Sequence, residues 1–336
     1  MHRLRKPYLL FLGDVQDKLT AKTAFGLKDW CAEDVVGEWS LPGCSVTLGL
    51  PRLSPQQAGA RGAGSIIVGI APTGGRLPAH WVAELAAAAD AGLDVVSGLH
   101  TRLTSFPELV QAASRRNVRL IDVRHGERTY GAATGRKRSG KRVLTVGTDC
   151  AMGKKYTALA LAKNLKARGI DASFRATGQT GIMISGEGIA IDAVIADFIA
   201  GAAEHLSPDN APDHWDVIEG QGSLYHPAYA GVTLGLLHGS QPDAIVLCHD
   251  PSRLTIDEHP DFPIPALRVV IDDYLRAGRL TNRAMRCVGL SINSSSLSDA
   301  ECAEYFRRVT AELGLPVCDP VRTGVDVLAA ALLAAP

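Results

Sequence analysis

The sequence predicts an α/β fold, in which doubly wound parallel sheets carry helices on both faces, arranged as two domains. Short apolar runs rich in Val and Ile alternate along the chain with longer segments of helical spacing. Glycine-containing polar loops follow several of these runs, which is typical of the carboxyl ends of parallel strands. The 336 residues, 46% of them hydrophobic, are enough for two well-packed domains.

The composition excludes several classes of protein. Lys+Arg and Asp+Glu both number 35, so the net charge is zero and a nucleic-acid partner is not expected. The 7 cysteines include no CxxC pair, which argues against a zinc site or a disulfide framework and favours a cytoplasmic protein. The N-terminal apolar run covers only 8–12, too short for a signal peptide or a membrane span.

The first domain is predicted to cover 1–123. Buried strands alternate with helices there, which implies parallel βαβ units. No G-x-G-x-x-G occurs, so a dinucleotide cofactor is not expected. Strands are predicted at 8–12, 65–70, 93–96 and 118–123, with weaker ones at 35–39 and 44–48, and helices at 17–30, 78–91 and 106–116.

A basic, glycine-rich and aperiodic segment at 124–141 is predicted to be an interdomain linker. The second domain then covers 142–336, and its segment 182–191 is too glycine-rich for one regular element. Strands are predicted from 143 and 216 and at 171–176, 243–248, 287–292 and 315–318, with helices at 153–167, 192–204, 265–278, 299–313 and 325–335.

The second domain opens with a pattern that predicts a phosphate-binding loop. A β-branched run from 143 leads into a loop ending in Gly153-Lys154, and an Ala/Leu-rich helix follows. Such loops surround phosphate with backbone N–H groups and the helix N-terminus, and the lysine adds a charge. The expected cofactor-binding residues are Gly147, Thr148, Asp149, Cys150, Ala151, Met152, Gly153, Lys154, Lys155, Tyr156 and Thr157.

The loop departs from the pattern G-x-x-x-x-G-K-[ST] in two places. Thr148 stands at the first glycine, an opening that resembles loops of the dethiobiotin synthetase type. Lys155 stands at the Ser/Thr that normally ligates Mg²⁺, and the nearest helical hydroxyl is Thr157. A second lysine attracts phosphate and repels a metal, so we predict phosphate binding without a metal ion.

An acidic, glycine-rich loop follows the short strand that starts at 216. Glu219 occupies the position of the acidic residue that orients a metal or a water in phosphate-loop proteins. Without a metal it is a candidate general base, the alternative being a loop or capping carboxylate. His226 lies further along the same loop and is a second candidate, or a structural histidine.

Four motifs together resemble the D-glutamate N-acetyltransferase family. They lie at 147–155, 175–181, 219–227 and 249–253, and the resemblance extends over nearly the whole chain. It implies a Rossmann-like N-terminal domain and a P-loop NTPase-like C-terminal domain. It also implies transfer of the acetyl group of acetyl-CoA to the amine of D-glutamate, a step in D-glutamate catabolism.

This chemistry suggests roles for several polar residues. A base must deprotonate the ammonium, for which Glu219, Asp149 and His226 are candidates. Backbone N–H groups at 220–223 or 177–180 are candidates for stabilising the oxyanion, and arginines for binding the carboxylates. The expected substrate-binding residues are Arg175, Thr177, Gln179, Thr180, Gln221, Ser223 and Arg253.

Two functions from other classes remain open. An ATP- and Mg²⁺-dependent ligase or kinase of the dethiobiotin synthetase type would use Glu219 for the metal, but Lys155 argues against it. A non-catalytic nucleotide-binding module would leave the acidic loop without a role. Soluble α/β enzymes often form symmetric oligomers, so a homo-oligomer is expected in each case.

Overall fold

The computed structural model describes residues 4–18, 20–70, 73–125 and 129–334. Contacts group the chain into one unit of 1–127 with 178–190 and another of 128–177 with 191–336. The predicted α/β class is confirmed, since each unit has its own parallel sheet flanked by helices. The predicted boundaries at 123 and 141 remain a proposal. Within the described ranges, no helix is both long and apolar enough to cross a bilayer.

The first unit contains a five-stranded parallel sheet in the order β2-β1-β3-β4-β5. Its central strands are fully buried and apolar, because helices cover both faces. The predicted strand at 44–48 is wrong, since this segment is irregular. The elements are β1 (Tyr8–Gly13), α1 (Lys22–Trp30), β2 (Val35–Ser40), α2 (Pro55–Ala60), β3 (Ser65–Val68), α3 (Val82–Asp90), β4 (Asp94–Ser97), α4 (Pro107–Arg116) and β5 (Leu120–Asp122).

The second unit contains a six-stranded parallel sheet in the order β13-β12-β9-β6-β8-β7, beside the hairpin β10-β11. No sequence pattern predicts this hairpin, because its strands are short and mostly polar. The elements are β6 (Lys141–Gly147), α5 (Lys154–Ala167), β7 (Ala172–Arg175), α6 (Gln179–Ser185), α7 (Ile199–Leu206), β8 (Trp215–Ile218), α8 (Ala230–Ser240), β9 (Ala244–His249), β10 (Thr255–Ile256), β11 (His259–Pro263), α9 (Leu267–Gly278), β12 (Arg286–Ile292), α10 (Asp299–Leu313), β13 (Val317–Cys318) and α11 (Asp326–Leu333).

Helix α6 follows β7 in the chain but packs with the first unit. Met183 is fully buried in the core beneath the first sheet, and its carbonyl oxygen lies 3.5 Å from the Tyr8 hydroxyl. The hydroxyls of Thr180 and Thr23 are 3.1 Å apart. Glycine-rich sequence predicted an irregular segment from 182, whereas burial of one apolar face stabilises a short helix there.

Helices α7 and α8 pack closely through glycines. The sequence did not predict α8, because Gly231, Gly235 and Gly239 lower its helix propensity. An added Cβ at Gly239 would lie 2.1 Å from the Ala200 carbonyl oxygen, and one at Gly235 2.5 Å from Ile199. The predicted helix at 192–204 is correspondingly displaced, since regular α-helix begins at Ile199 after two short 3₁₀ turns.

Two alanine substitutions on α8 test this packing. We expect Gly239→Ala to lower the free energy of unfolding by about 1–3 kcal/mol, because the methyl group overpacks the contact with α7. Gly231→Ala is the matched control, since nothing lies within 4 Å of its added Cβ. It should be neutral or raise stability by up to about 1 kcal/mol. Equal effects of both substitutions in denaturant unfolding would contradict the close packing.

Candidate active site

The phosphate loop lies at a switch point of the second sheet. After β6 the chain builds β7 and β8 on one side, and then β9, β12 and β13 on the other. Ligands of open α/β sheets bind where the strand order reverses, at the carboxyl ends of the strands. Gly153 has φ +91° and places Lys154 at the start of α5, as the sequence predicts. The loop is therefore correctly placed to receive an anion.

Lys154 is buried across the ends of β6 and β8. Its side chain is 7% exposed, and Nζ donates to the Asp149 carbonyl oxygen at 2.7 Å. A Cβ at Gly147 would lie 2.9 Å from this Nζ, and one at Gly220 would lie 1.7 Å from the Thr145 carbonyl oxygen. Burial lowers the Lys154 pKa, and the negative charges of nearby groups, Glu219 among them, oppose that shift. Glycines at both strand ends thus leave room for an ammonium facing the loop.

Thr157 carries the helical hydroxyl nearest to the Ser/Thr position of metal-dependent loops, and this hydroxyl faces the core. Thr157 Oγ1 donates to the Gly153 carbonyl oxygen at 3.0 Å and lies 2.7 Å from Ser291 Oγ. Cys248 Sγ donates to Thr157 Oγ1 at 3.4 Å. Lys155 lies at the surface of α5 with Nζ 5.3 Å from the Tyr156 ring centroid. This first turn of α5 therefore presents a lysine where metal-dependent loops present a hydroxyl.

The Asp149 carboxylate is a structural acceptor. It is fully buried, and Oδ1 accepts the Cys150 N–H at 2.6 Å. Oδ2 accepts from Arg253 Nη1 at 2.9 Å and from the Asp257 N–H at 2.8 Å. Three donors occupy this carboxylate, so the expectation that Asp149 is a general base is not supported. It anchors Arg253 and the hairpin to the loop.

Glu219 follows β8 and is 4% exposed. Its Oε2 accepts the Thr177 N–H at 2.9 Å, and its carbonyl oxygen accepts from Thr177 Oγ1 at 2.8 Å. Gln221 Nε2 donates to the same hydroxyl at 3.2 Å. The structure thus brings Thr177 together with Glu219 and Gln221, which lie 42 and 44 residues further along the chain.

Tyr274 connects the phosphate loop to the acidic loop, and the sequence analysis missed it. Its buried hydroxyl donates to the Gly147 carbonyl oxygen at 2.8 Å and accepts the Leu224 N–H at 3.2 Å. Burial raises its pKa to about 12, so it stays protonated. Ser223 Oγ makes a parallel link by donating to the Thr148 carbonyl oxygen at 2.9 Å. A tyrosine within a helical pattern looks like a core residue, which explains the omission.

His226 is 4% exposed and lies near the loop. Its Nδ1 accepts the Ala228 N–H at 3.1 Å, and its ring contacts Tyr229 at a centroid distance of 4.4 Å. Burial lowers the His226 pKa, although the charge of Asp149 acts in the opposite direction. The predicted proximity of His226 to the loop is therefore observed, but its ring is held as a neutral imidazole.

Asp149, Cys150 and His226 place one potential ligand atom each within 4.8 Å of the others. The donor set does not fit a metal ion. The Asp149 carboxylate already accepts three hydrogen bonds, one from the Arg253 cation. Nδ1 of His226 accepts an N–H, so the neutral ring carries its hydrogen on Nε2 and has no lone pair left for a metal. Burial also raises the pKa of the Cys150 thiol.

A cavity of about 250 Å³ adjoins the phosphate loop on the side of β12 and β13. It is enclosed by residues from the loop, the start of α5 and the two strand ends, mixing apolar and polar groups. The lining residues are Ala151, Met152, Gly153, Tyr156, Ser291, Asn293, Asp319, Pro320 and Val321. At the carboxyl end of β9, which lies between β6 and β12, Thr148 Oγ1 is 3.0 Å from His249 Nδ1.

The two arginines expected to bind substrate differ in their surroundings. Arg175 Nε donates at 2.6 Å to Asp216, a carboxylate that is 1% exposed and also accepts from Ser207 Oγ. This ion pair occupies Nε of Arg175, and a role of this arginine in substrate binding stays a prediction. Among the described residues, Arg253 forms hydrogen bonds through Nη1, to Asp149 and to the Cys150 carbonyl oxygen, and its side chain is 26% exposed.

Gln179 and Thr180, also expected to bind substrate, belong to α6 in the unit formed by 1–127 and 178–190. Thr180 pairs with Thr23 as described above. Gln179 Oε1 is buried without a hydrogen-bond partner among the described residues, and it fills the space that a Cβ at Gly98 would need. Both side chains pack within that unit, and their role in substrate binding stays a prediction.

The fold and this loop define the second unit as a phosphate-loop α/β domain, following a Rossmann-like domain. A domain of unknown function described as the DUF1611 P-loop domain matches 129–329, and its Rossmann-like N-terminal companion matches 39–126. The chain belongs to this DUF1611 family. The family resemblance and both predicted domain types are thereby confirmed.

Known proteins resemble the chain over almost its full length. A protein of Pseudoalteromonas named D-glutamate N-acetyltransferase is 49% identical, covering 98% of this chain and 99% of its own. One of Tritonibacter scottomollicae with the same name is 47% identical, covering 98% and 99%. The crystal structure of a DUF1611 family protein from Anabaena variabilis is 34% identical, with a TM-score of 0.86 over 98% of this chain and 99% of that one.

The link through Tyr274 gives a stability prediction. Tyr274→Phe should lower the free energy of unfolding by about 1–3 kcal/mol, because a buried carbonyl and a buried N–H lose their shared partner. Tyr305→Phe is the control, since the Tyr305 hydroxyl makes no hydrogen bond among the described residues. Denaturant unfolding of both variants measures the difference. A Tyr274→Phe protein as stable as the control would mean that this hydroxyl does not secure the loop.

Proposed function

We propose that this protein transfers the acetyl group of acetyl-CoA to the amine of D-glutamate, giving N-acetyl-D-glutamate. The main support is the identity of 49% and 47%, over nearly full length, to two proteins named D-glutamate N-acetyltransferase. The site is consistent with this chemistry, because its phosphate loop lacks the metal-ligating hydroxyl. A cytoplasmic location and a homo-oligomeric state remain predictions.

Acetyl-CoA suits the loop on chemical grounds. Its pyrophosphate and 3′-phosphate need a cationic cradle, and acyl transfer requires neither a metal nor phosphate cleavage. Lys154 and the N–H groups at the start of α5 would hold phosphate, with Lys155 at the next position. The cavity of about 250 Å³ beside Gly153 offers space for the nucleotide end of the cofactor. Lys154 would exchange its bond to the Asp149 carbonyl for a phosphate oxygen.

Glu219 is the proposed general base. Only the free amine of D-glutamate is a nucleophile, so a nearby group must accept a proton from the ammonium. Glu219 is a buried carboxylate at the end of a strand, and its Oε2 accepts the Thr177 N–H. Asp149 is a weaker candidate because its carboxylate already accepts three hydrogen bonds within the chain.

Arg253 is the proposed partner of a substrate carboxylate. Its Nη1 is fixed by the buried Asp149, while Nε and Nη2 make no hydrogen bond with any described residue. A guanidinium held on one side keeps its remaining donors oriented, which favours bidentate recognition of a carboxylate. Gln221 and Ser223 lie on the acidic loop after β8, Thr177 lies on the loop after β7, and these three residues complete the proposed substrate site.

A thiol-release assay tests the proposed function. Purified protein with acetyl-CoA should release CoA thiol in the presence of D-glutamate, and product mass should increase by one acetyl group. L-Glutamate, D-aspartate and buffer serve as comparisons for the amine that is accepted. If ATP is consumed and acetyl-CoA is not, the protein is a ligase or kinase and the proposal is wrong.

Substitution of Glu219 tests the base. Glu219→Gln should lower kcat by about 10²–10⁴-fold, because the amide cannot accept the ammonium proton, while CoA affinity stays nearly unchanged. Asp149→Asn is the matched control; we expect it chiefly to weaken substrate binding and stability through Arg253. Near-normal turnover in Glu219→Gln, or loss of the base-dependent limb of the pH profile only in Asp149→Asn, would reassign the base.

A further inference from the structure

The hydrogen bonds of His226 fix which of its ring nitrogens carries a hydrogen. The Ala228 N–H donates to Nδ1 at 3.1 Å, so Nδ1 must present its lone pair. The hydrogen of the neutral ring is therefore on Nε2. No described residue forms a hydrogen bond with Nε2, although the residue is 4% exposed. A nearly buried ring thus presents an N–H donor that has no hydrogen-bond partner in the described part of the chain.

The surroundings of the ring hold it in this state. Tyr229 lies against one face at 4.4 Å with an interplanar angle of 34°, and the His259 ring contacts it edge-on at 5.2 Å. A second proton would have to enter at Nδ1, which already faces the Ala228 N–H. Reorientation of the ring would break that bond and both ring contacts, so the imidazole is poorly suited to accept a proton.

The ring lies next to the phosphate loop. One of its nitrogens is within 4.8 Å of both the Asp149 carboxylate and the Cys150 thiol. Asp149 bonds to Arg253, the proposed partner of the substrate carboxylate. His226 therefore borders the space where cofactor and amine have to meet if the proposed function holds.

We propose that the Nε2–H of His226 donates a hydrogen bond to the carbonyl oxygen of the acetyl thioester during transfer. This inference rests on the proposed function. In the reaction the amine nitrogen bonds to the acetyl carbon, and the carbonyl oxygen gains negative charge. The carbonyl then re-forms as the carbon–sulfur bond breaks, and sulfur takes the electron pair of that bond. The proton lost from nitrogen ends on the CoA sulfur. A neutral donor already in place stabilises the charged oxygen without moving a proton.

This role differs from that of the base considered in the sequence analysis. A histidine base would need an available lone pair on the nitrogen that faces the amine, whereas Nε2 carries a hydrogen. His226 would then leave no imidazole limb in the pH profile of kcat/KM. The ionisable groups that act on it are Asp149, Asp257, Glu258 and His259, with Cys150 nearby.

Kinetics of two variants separate the donor from a base. His226→Ala should lower kcat by about 10²–10³-fold, as loss of an oxyanion donor does, with CoA affinity nearly unchanged in calorimetry. His226→Gln retains an N–H donor near the Nε2 position, so it should recover part of the loss and keep the wild-type pH profile. If His226→Gln is as inactive as His226→Ala, and both variants lose a limb of the pH profile, His226 is a base and the proposal is overturned.

A spectroscopic measurement tests the ring state without turnover. In ¹⁵N-labelled protein free of ligand, the His226 ring should be the neutral Nε2–H tautomer around neutral pH, with His226→Gln assigning its signals. An Nδ1–H tautomer or a doubly protonated ring would overturn the proposal. A wild-type protein with this tautomer but no thiol release with D-glutamate would instead remove the proposed function, and with it the role at the thioester.

Discussion

The architecture of the site depends on the accommodation of one buried ammonium. Lys154 begins α5 and lies across the ends of β6 and β8, where Gly147 and Gly220 leave room for it. Its Nζ bonds to the carbonyl oxygen of Asp149 in its own loop. Because burying a charge without a partner is costly, a cation held by one backbone carbonyl has a strong tendency to bind an anionic ligand. The loop is preorganised for phosphate.

The neighbouring groups make sense as supports of this cation. Tyr274 and Ser223 tie the phosphate loop to the acidic loop through its backbone carbonyls. The Asp149 side chain fixes Arg253 and the Asp257 backbone on the other side. Two loops from neighbouring strands are thereby held together by hydrogen bonds to main-chain groups. Such a scaffold can orient a donor, a base and a cation around one space.

Sequence reasoning identified the elements whose chemistry is local. The β6 strand, the loop to Gly153 and the helix from Lys154 follow from apolar periodicity and glycine positions, and Glu219 follows from its place after a strand. It missed α8, because glycines that permit contact with α7 also lower helix propensity. The α8 helix is stabilised by its packing against α7, which the sequence pattern alone does not show.

The site residues show the same division. Arg175 and Arg253 look alike in sequence, since each lies beside the carboxyl end of a predicted strand. In the structure, Arg175 donates through Nε to the buried Asp216. Arg253 donates to Asp149 through Nη1. Tyr274 gave no signal because its partners are backbone groups far along the chain. Partners of this kind are defined by the fold, and periodicity carries no information about them.

The central claim is that the loop binds the phosphates of CoA through Lys154 and backbone N–H groups, without a metal ion. Titration calorimetry of the full chain with CoA, with and without EDTA, tests it most directly. We expect the affinity for CoA to be the same with and without EDTA. Lys154→Ala should weaken CoA binding by tenfold or more, about 1.5–3 kcal/mol. Binding that occurs only with ATP and only with Mg²⁺ would contradict it.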